Sequence, residues 1–450
     1  MEGKKDGTNA VLKVIFISLL IDLFGFTVIL PLFPSLMEFY KSNDKGNLYS
    51  SMESMVTSFR KLIGIPETED VNSVLFGGMI GSLFSFLQFL NSPFFGAASD
   101  VYGRRSLILV SLCGSAISYV LWAMSDSFLL FLIARIVAGI SEANVSISTA
   151  IIADLKSEKA RSKGMAVIGV AFSIAFVFGP LVGACFTKTM LKGNNFFIGP
   201  ALFSLCLTLA DIVYVSGFLP ETLPVNKRAS SVFTSIKEIT HLINPVALFK
   251  FYAVPSTRTN PIKGSSLRQL GSIYFMYLFL FSGLEFTLTF LGHHRFQFTH
   301  MDQGKMFACL GITMALVQGG YVRRKMENKE IKMAFNGMVI LIPGFIVVGM
   351  SNSVAMLYAG LFMFAFAAAS VVPCLSSLTA THGLESEKGR VMGILRSLGA
   401  LARATGPICA SASYWLVGAT YTYVIGGLLL IIPLMCLRRL PDIKADTKEE

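Results

Sequence analysis

Seven charged side chains interrupt long apolar runs of this chain: Asp22, Arg135, Glu142, Asp211, Glu285, Arg396 and Arg403. In hydrocarbon each costs at least a few kcal/mol unless it meets a partner or water, so each marks a candidate for ion or solute handling. The acids are of the kind that exchange protons or hold cations. The arginines are of the kind that grip anions, because the planar guanidinium fork matches a carboxylate through two parallel bonds. Arg135 and Glu142 are two helical turns apart and share a face; Arg396 and Arg403 repeat that spacing, with Gly399 and Gly406 on roughly the same face. The competing reading is structural pairing, such as Asp22 with Arg135, which would tie helices together without meeting a solute. Asp22, Glu285 and Arg403 lie near mid-span and favour function. Asp211 favours pairing, and Arg396 is close enough to an end to snorkel. The substrate- or ion-binding set is therefore Asp22, Arg135, Glu142, Glu285, Arg396 and Arg403. Gln88, Asn91 and Gln318 add uncharged hydrogen-bonding groups, with polar contact between helices as their expected use.

Such residues need a membrane scaffold, and composition supplies one. The 450 residues are 53% hydrophobic and 14% charged, against about 25% charged in a soluble protein. Twelve apolar runs of about 20 residues can be counted. They cover 11–34, 74–97, 106–124, 128–150, 165–187, 197–219, 270–292, 304–320, 333–350, 355–377, 391–413 and 420–437. All are expected to be helices, since backbone groups in lipid must satisfy one another. Met1–Lys13 is short and polar, and the first run is too long for a signal-peptide core. With the N-terminus placed in the cytoplasm, inner links and tails hold 27 of the 38 Lys and Arg, as the positive-inside rule asks. Both termini are thus expected to be cytoplasmic. The net charge of +11 belongs mainly to the inner membrane surface, not to a nucleic-acid site. The seven cysteines all fall within apolar runs, without a C-x-x-C or Cys/His pattern, so neither disulfides nor metal sites are expected.

The link between runs 2 and 3 reads Gly96-Ala97-Ala98-Ser99-Asp100-Val101-Tyr102-Gly103-Arg104-Arg105. It resembles the signature loop of the major facilitator superfamily, G-x-x-x-D-x-x-G-R-[RK]. Chemically, Gly103 suits a turn that a Cβ forbids, the arginines anchor the link inside, and Asp100 can meet the positive end of a helix. Asp22-Leu23-Phe24-Gly25 leading to Pro31-Leu32-Phe33-Pro34 resembles the first helix of drug:proton antiporters, including bacterial tetracycline exporters. Arg135-Ile136-Val137-Ala138-Gly139 resembles the superfamily's fourth-helix motif. Ala175 to Gly183 is similar to the antiporter motif G-x-x-x-G-P-x-x-G, with Ala175 in place of its first glycine. Longer stretches, Ser73–Phe86, Tyr277–Phe290, Arg295–Phe307, Ala367–Ser377 and Met392–Pro407, resemble a narrower animal family of tetracycline transporter-like proteins.

The superfamily resemblance implies an all-α membrane protein with 12 transmembrane helices in two pseudo-symmetric six-helix bundles. The division expected is 1–219, a cytoplasmic central loop 220–268, and 269–450. It also implies a conformational latch built from Gly96, Asp100, Gly103, Arg104 and Arg105, in which Asp100 meets the start of run 11 near Gly389 and Asp154 receives an arginine. Gly179, Pro180, Gly183, Gly406 and Pro407 would let runs 5 and 11 bend toward the opposite half. The narrower family implies a carrier of organic anions in the inner nuclear or plasma membrane. No ATP-binding G-x-x-x-x-G-K-[ST] occurs and no catalytic constellation is recognisable, so neither cofactor nor enzymatic activity is expected. A monomeric secondary carrier in the lipid bilayer, working by alternating access with a small organic solute and protons, is the leading reading. A non-transporting scaffold and a drug-cation:proton antiporter are its rivals.

Two long links complete the sequence. Glu38–Val71, on the outer side, spaces Tyr49, Met52, Met55, Val56, Phe59, Leu62 and Ile63 as one face of a helix lying on the membrane or over the mouth. In the central link, Val232–Ile243 reads as a second amphipathic helix, ended by Asn244-Pro245.

Overall fold

Among the described residues, eleven helices are long and apolar enough to cross a membrane. A twelfth, Lys388–Val417, has the length but also carries Lys388, Arg390, Arg396 and Arg403. The computed structural model describes residues 2–29, 32–43, 47–64, 69–155, 157–190, 197–230, 241–242, 244–259, 261–298, 300–326 and 329–440; every regular element among them is helical. The spans are Glu2–Thr27 (span 1), Glu69–Tyr102 (2), Arg104–Ala123 (3), Phe128–Ser141 with Asn144–Ala153 (4), Glu158–Met190 (5) and Ile198–Phe218 (6). They continue as Pro261–Phe296 (7), His300–Leu316 running on to Lys325 (8), Glu330–Met350 (9), Val354–His382 (10), Lys388–Val417 (11) and Ala419–Leu429 with Ile431–Arg438 (12). Serine side chains start some of them: Ser127 accepts from the Leu130 N–H and Ser353 from the Met356 N–H, each satisfying one donor that the first turn leaves free.

The packing repeats itself between halves. Span 1 packs on span 5 and span 3 on span 6; span 7 packs on span 11 and span 9 on span 12. The halves meet along two equivalent seams, span 2 against span 11 and span 5 against span 8. Small residues set the first seam. A Cβ on Gly96 would lie 2.3 Å from the Gly389 carbonyl oxygen, and one on Gly393 2.7 Å from that of Ser92. Only the absence of those carbons lets the two backbones approach this closely.

Three details depart from the apolar runs. Span 1 ends at Thr27, and a separate helix, Phe33–Asn43, follows; Pro31 ahead of it and Pro34 in its first turn have no N–H to give to a continuous helix. Span 4 breaks between Ser141 and Asn144. Ser111 of span 3 repairs the break, donating to the Ser141 carbonyl at 2.7 Å and accepting from the Ala143 N–H at 3.0 Å. Span 8 relaxes into a π-helical turn at Val317–Val322, a feature that often accompanies functional helices.

The link between spans 1 and 2 forms the helix Leu48–Ile63 and packs against spans 2, 4 and 11. Tyr49, Val56 and Ile63 are buried, but Met55 and Leu62 face outward, 65% and 84% exposed. Its apolar face is therefore narrower than the sequence spacing indicates. The helix expected at Val232–Ile243 lies outside the described residues except at His241 and Leu242, both helical, with Leu242 buried.

Candidate functional site

The end of the molecule bearing Gly103 is held by one acid and one arginine. Asp100 Oδ1 accepts from the Gly389 N–H at 2.8 Å and Oδ2 from the Arg390 N–H at 2.7 Å. These are first-turn donors of span 11, where a carboxylate is favoured by the helix dipole. Arg104 lies wholly buried; its Nη1 stands 2.7 Å from Asp100 Oδ1 and its Nε 3.0 Å from Asp154 Oδ2. Nη1 also donates to Ser99 Oγ at 2.6 Å. Burial pushes the Asp154 carboxyl above its ordinary value, and the Arg104 guanidinium works against that. Asp100, Arg104 and Asp154 thus form one chain of charge-assisted bonds from span 4 to span 11.

Gly103 has φ +96°, a conformation that a side chain would strain. Beside it Glu221, just after span 6, accepts from the backbone N–H groups of Arg104 at 3.0 Å and Arg105 at 3.3 Å, capping span 3. The Arg105 side chain turns away and donates to the Ser216 carbonyl. The residues from Pro220 to Ser230 continue as a strap. The Ala229 N–H donates to the Asp100 carbonyl at 2.9 Å, Arg228 lies 3.7 Å from Glu221, and Lys227 reaches across to Glu385 in the turn between spans 10 and 11. At the second seam Glu330, 6% exposed, accepts from Ser162 of span 5 and stands 3.4 Å from Ser377 Oγ of span 10. Relative to the arginine pair, Gly319 stands in span 8 where Asp100 stands in span 2, and Arg323, Arg324 and Lys325 are exposed.

Inside the membrane the charged residues fall into two groups. In the first half Asp22 is 4% exposed and accepts from Asn144 Nδ2 at 3.0 Å, at the start of the second piece of span 4. Arg135 makes no ion pair with Asp22. Its guanidinium lies 5.5 Å from the Trp122 ring centroid and 5.6 Å from that of Phe131, with Nε and Nη2 buried and without hydrogen-bond partners. Arg135 is thus cradled by aromatic faces. Asp211 does not pair with a cation either; it accepts from Ser18 at 3.0 Å. Glu142 sits half-buried in the break of span 4, with Asp22 and Arg396 as the charges acting on it.

In the second half Arg403 donates from Nη2 to Gln88 Oε1 of span 2 at 2.9 Å. Glu285, half-buried, is the acid that acts on it from further off. Arg396 lies 5.7 Å from the Phe172 ring centroid of span 5. Gln318, in the π turn, accepts from Ser173 at 2.8 Å and lies against Gly169. Gln88 and Gln318 therefore join the halves at both seams.

Gly179 and Gly406 each sit against another span of their own half. Gly179 packs against Thr27 of span 1, and Gly406 against Phe279, Ser282 and Gly283 of span 7. Spans 5 and 11 stay helical through Pro180, Gly183 and Pro407. Gly179 and Gly406 make close packing within each half, because the absent Cβ lets a neighbouring backbone or hydroxyl in. Ser99, Glu221, Ser111 and Asn144 were not singled out by spacing.

Comparisons agree with this architecture. The family model described as Major Facilitator Superfamily matches residues 15–407. Human major facilitator superfamily domain-containing protein 10 is 48% identical over 96% of this chain and 93% of its own length; the mouse protein is 47% identical over 98% and 95%. Among known structures, that of the human organic anion transporter MFSD10 (TETRAN) has 47% identity and a TM-score of 0.91, covering 96% of this chain and 99% of that one. The proton:xylose symporter XylE, at 15% identity, shares the fold with a TM-score of 0.65. The chain belongs to the Major Facilitator Superfamily and is a multi-pass membrane transporter, not an enzyme, grouped with the mammalian proteins called major facilitator superfamily domain-containing protein 10.

Proposed function

We propose that this chain carries small organic anions bearing a carboxylate, by alternating access between two halves, residues 1–219 and 269–450, joined by the link 220–268. The observation that carries the reading is Arg403: a guanidinium in mid-span whose hydrogen-bond partner is the neutral Gln88, not a carboxylate. A charge in that position needs an anion, and a substrate carboxylate fits its two-pronged donor edge. The organic anion transport named for the human relative supports the same class. Arg396 and Glu142 extend this charged surface across the seam between spans 4 and 11. Arg135 and Asp22 belong to its first-half wall.

Asp100, Gly96, Gly103, Arg104, Arg105 and Asp154 act as the latch that keeps one face closed. That face is cytoplasmic by its excess of Lys and Arg, with both termini on it. The inner nuclear and plasma membranes are the candidate addresses, and the monomer is the working unit. Asp22 and Glu285 are the proton-exchanging acids.

Uptake of a carboxylate-bearing dye into proteoliposomes tests the proposal. Arg403→Lys should lower transport despite keeping the charge, and Arg403→Gln should lower it further, by about 2 kcal/mol or more in binding. Equal transport by wild type and Arg403→Gln would return Arg403 to a structural role. A tag near Thr57 and one near Arg258, digested in sealed vesicles, should report opposite sides.

A further inference from the structure

Lys227 and Arg228 are neighbours in sequence, yet they tie the strap to different halves of the molecule. Lys227 pairs with Glu385 between spans 10 and 11, whereas Arg228 faces Glu221, which caps span 3. Two residues later, Ser230 is exposed in a non-helical stretch, directly after the Ala229 N–H that bonds to the Asp100 carbonyl. Lys227 and Arg228 therefore stand three and two positions before an accessible hydroxyl. Basic residues in those places are what the acidic substrate groove of a basophilic protein kinase selects, since kinase specificity is read largely as charge pattern. Neither the transport reading nor the latch uses this serine.

We propose that Ser230 is a phosphorylation site whose phosphate releases the strap from the second half. The reaction is ordinary phosphoryl transfer. Ser230 Oγ bonds to the γ-phosphorus of ATP, the bond from that phosphorus to the bridging oxygen breaks, ADP leaves, and the hydroxyl proton passes to the kinase's catalytic carboxylate. The product carries nearly two negative charges and three acceptor oxygens within reach of the two basic side chains. Arg228 pairs with a phosphate more favourably than with the half-exposed Glu221 at 3.7 Å, through two parallel charge-assisted bonds. Lys227 is drawn the same way, away from Glu385. The tie across the halves at the 10–11 turn is then lost, while the Glu221 bonds to the N–H groups of Arg104 and Arg105 remain. Phosphorylation would thereby favour opening of this face without touching the solute-facing residues. The inference rests on that face being cytoplasmic, where protein kinases and ATP are found.

The test uses the full chain in detergent micelles, where a kinase reaches either face, so its outcome is independent of the topology experiment. A basophilic serine kinase with ATP is expected to place phosphate on Ser230, located by mass spectrometry of the peptide. Ser230→Ala should abolish that signal, and replacing Lys227 and Arg228 together by Gln should reduce it about tenfold. Carbodiimide, which joins an amine to a carboxylate only in contact, reports the Lys227–Glu385 tie. Its cross-linked peptide should fall about fivefold on phosphorylation and likewise in Ser230→Glu, while Ser230→Ala keeps the wild-type yield. Phosphate absent from Ser230, or a cross-link unchanged at full phosphorylation, would overturn the proposal.

Discussion

Arg403 and Gln88 meet across the seam between spans 11 and 2, guanidinium to amide oxygen at 2.9 Å. The contact joins the two halves at a depth where charge is expensive, yet the partner chosen carries none. A neutral acceptor orients the arginine without neutralising it. Gln88→Glu would supply a resident carboxylate at the same place. We expect this variant to be at least as stable to heat and to transport carboxylates at least tenfold less well, because the substrate must compete with a fixed anion. Parallel melting curves and uptake rates check this; undiminished uptake would dissociate Arg403 from substrate.

Asp100 takes two backbone N–H bonds from the first turn of span 11 and an ion pair from Arg104. Asp100→Asn keeps the shape but loses the charge and one acceptor. About 2–4 kcal/mol of latch stabilisation should go with it. In a cysteine-free background, a cysteine placed at Ser92, 1% exposed beside Gly393, should gain maleimide reactivity in this variant.

Glycine substitutions separate close approach from mere flexibility. Gly96→Ala drives a methyl to within 2.3 Å of the Gly389 carbonyl oxygen, whereas Gly320 has nothing within 4 Å. Gly96→Ala should open the seam and slow turnover. Gly320→Ala should stay within about 0.5 kcal/mol of wild type in thermal unfolding.

Ser111 satisfies two backbone groups at the break of span 4, the Ser141 carbonyl and the Ala143 N–H. Ser111→Ala leaves a buried carbonyl and N–H with fewer partners and should cost about 1–3 kcal/mol, while Ser111→Thr retains the bonds. A lowered melting temperature in the first and its recovery in the second would identify the hydroxyl as the repair.

Asp22 and Glu285 are expected to link transport to a pH gradient. Asp22→Asn and Glu285→Gln should blunt the response of uptake to an imposed gradient while uptake driven by substrate gradient persists. Unaltered gradient dependence in both variants would exclude these acids as the coupling groups.

The spans were legible because lipid demands about 20 apolar residues and closed backbone bonding, a constraint written in composition. Span 11, with its four cations, has the length of a span but a weaker apolar background than the other eleven. The break in span 4 was not legible: Glu142-Ala143-Asn144 lacks glycine and proline, and the groups that stabilise it come from Ser111, some 30 residues earlier. The chain of Asp100, Arg104 and Asp154 could be proposed by resemblance, because Asp100 and Arg104 have a fixed spacing in one loop and Asp154 follows span 4, where the resemblance places the arginine's partner. Glu221 could not, since it reaches its partners, the free N–H groups of span 3, only once span 6 has packed beside that helix. Arg135 shows the same limit. Its charge suggested pairing with Asp22, but the aromatic faces beside it were decided by packing.

The two faces are not held by comparable means. One is bound by Asp100, Arg104 and Glu330; towards the other, the Phe286 ring of span 7 rests against Gly78 of span 2. In equilibrium terms, this tilts the resting population. A difference of about 4 kcal/mol would leave roughly one molecule in a thousand open on the bound face at any instant. Turnover would then be paced by the waiting time for unclasping rather than by solute capture. Single-molecule dwell times should accordingly be long in one conformer, brief in the other, and nearly independent of substrate concentration once the site is filled.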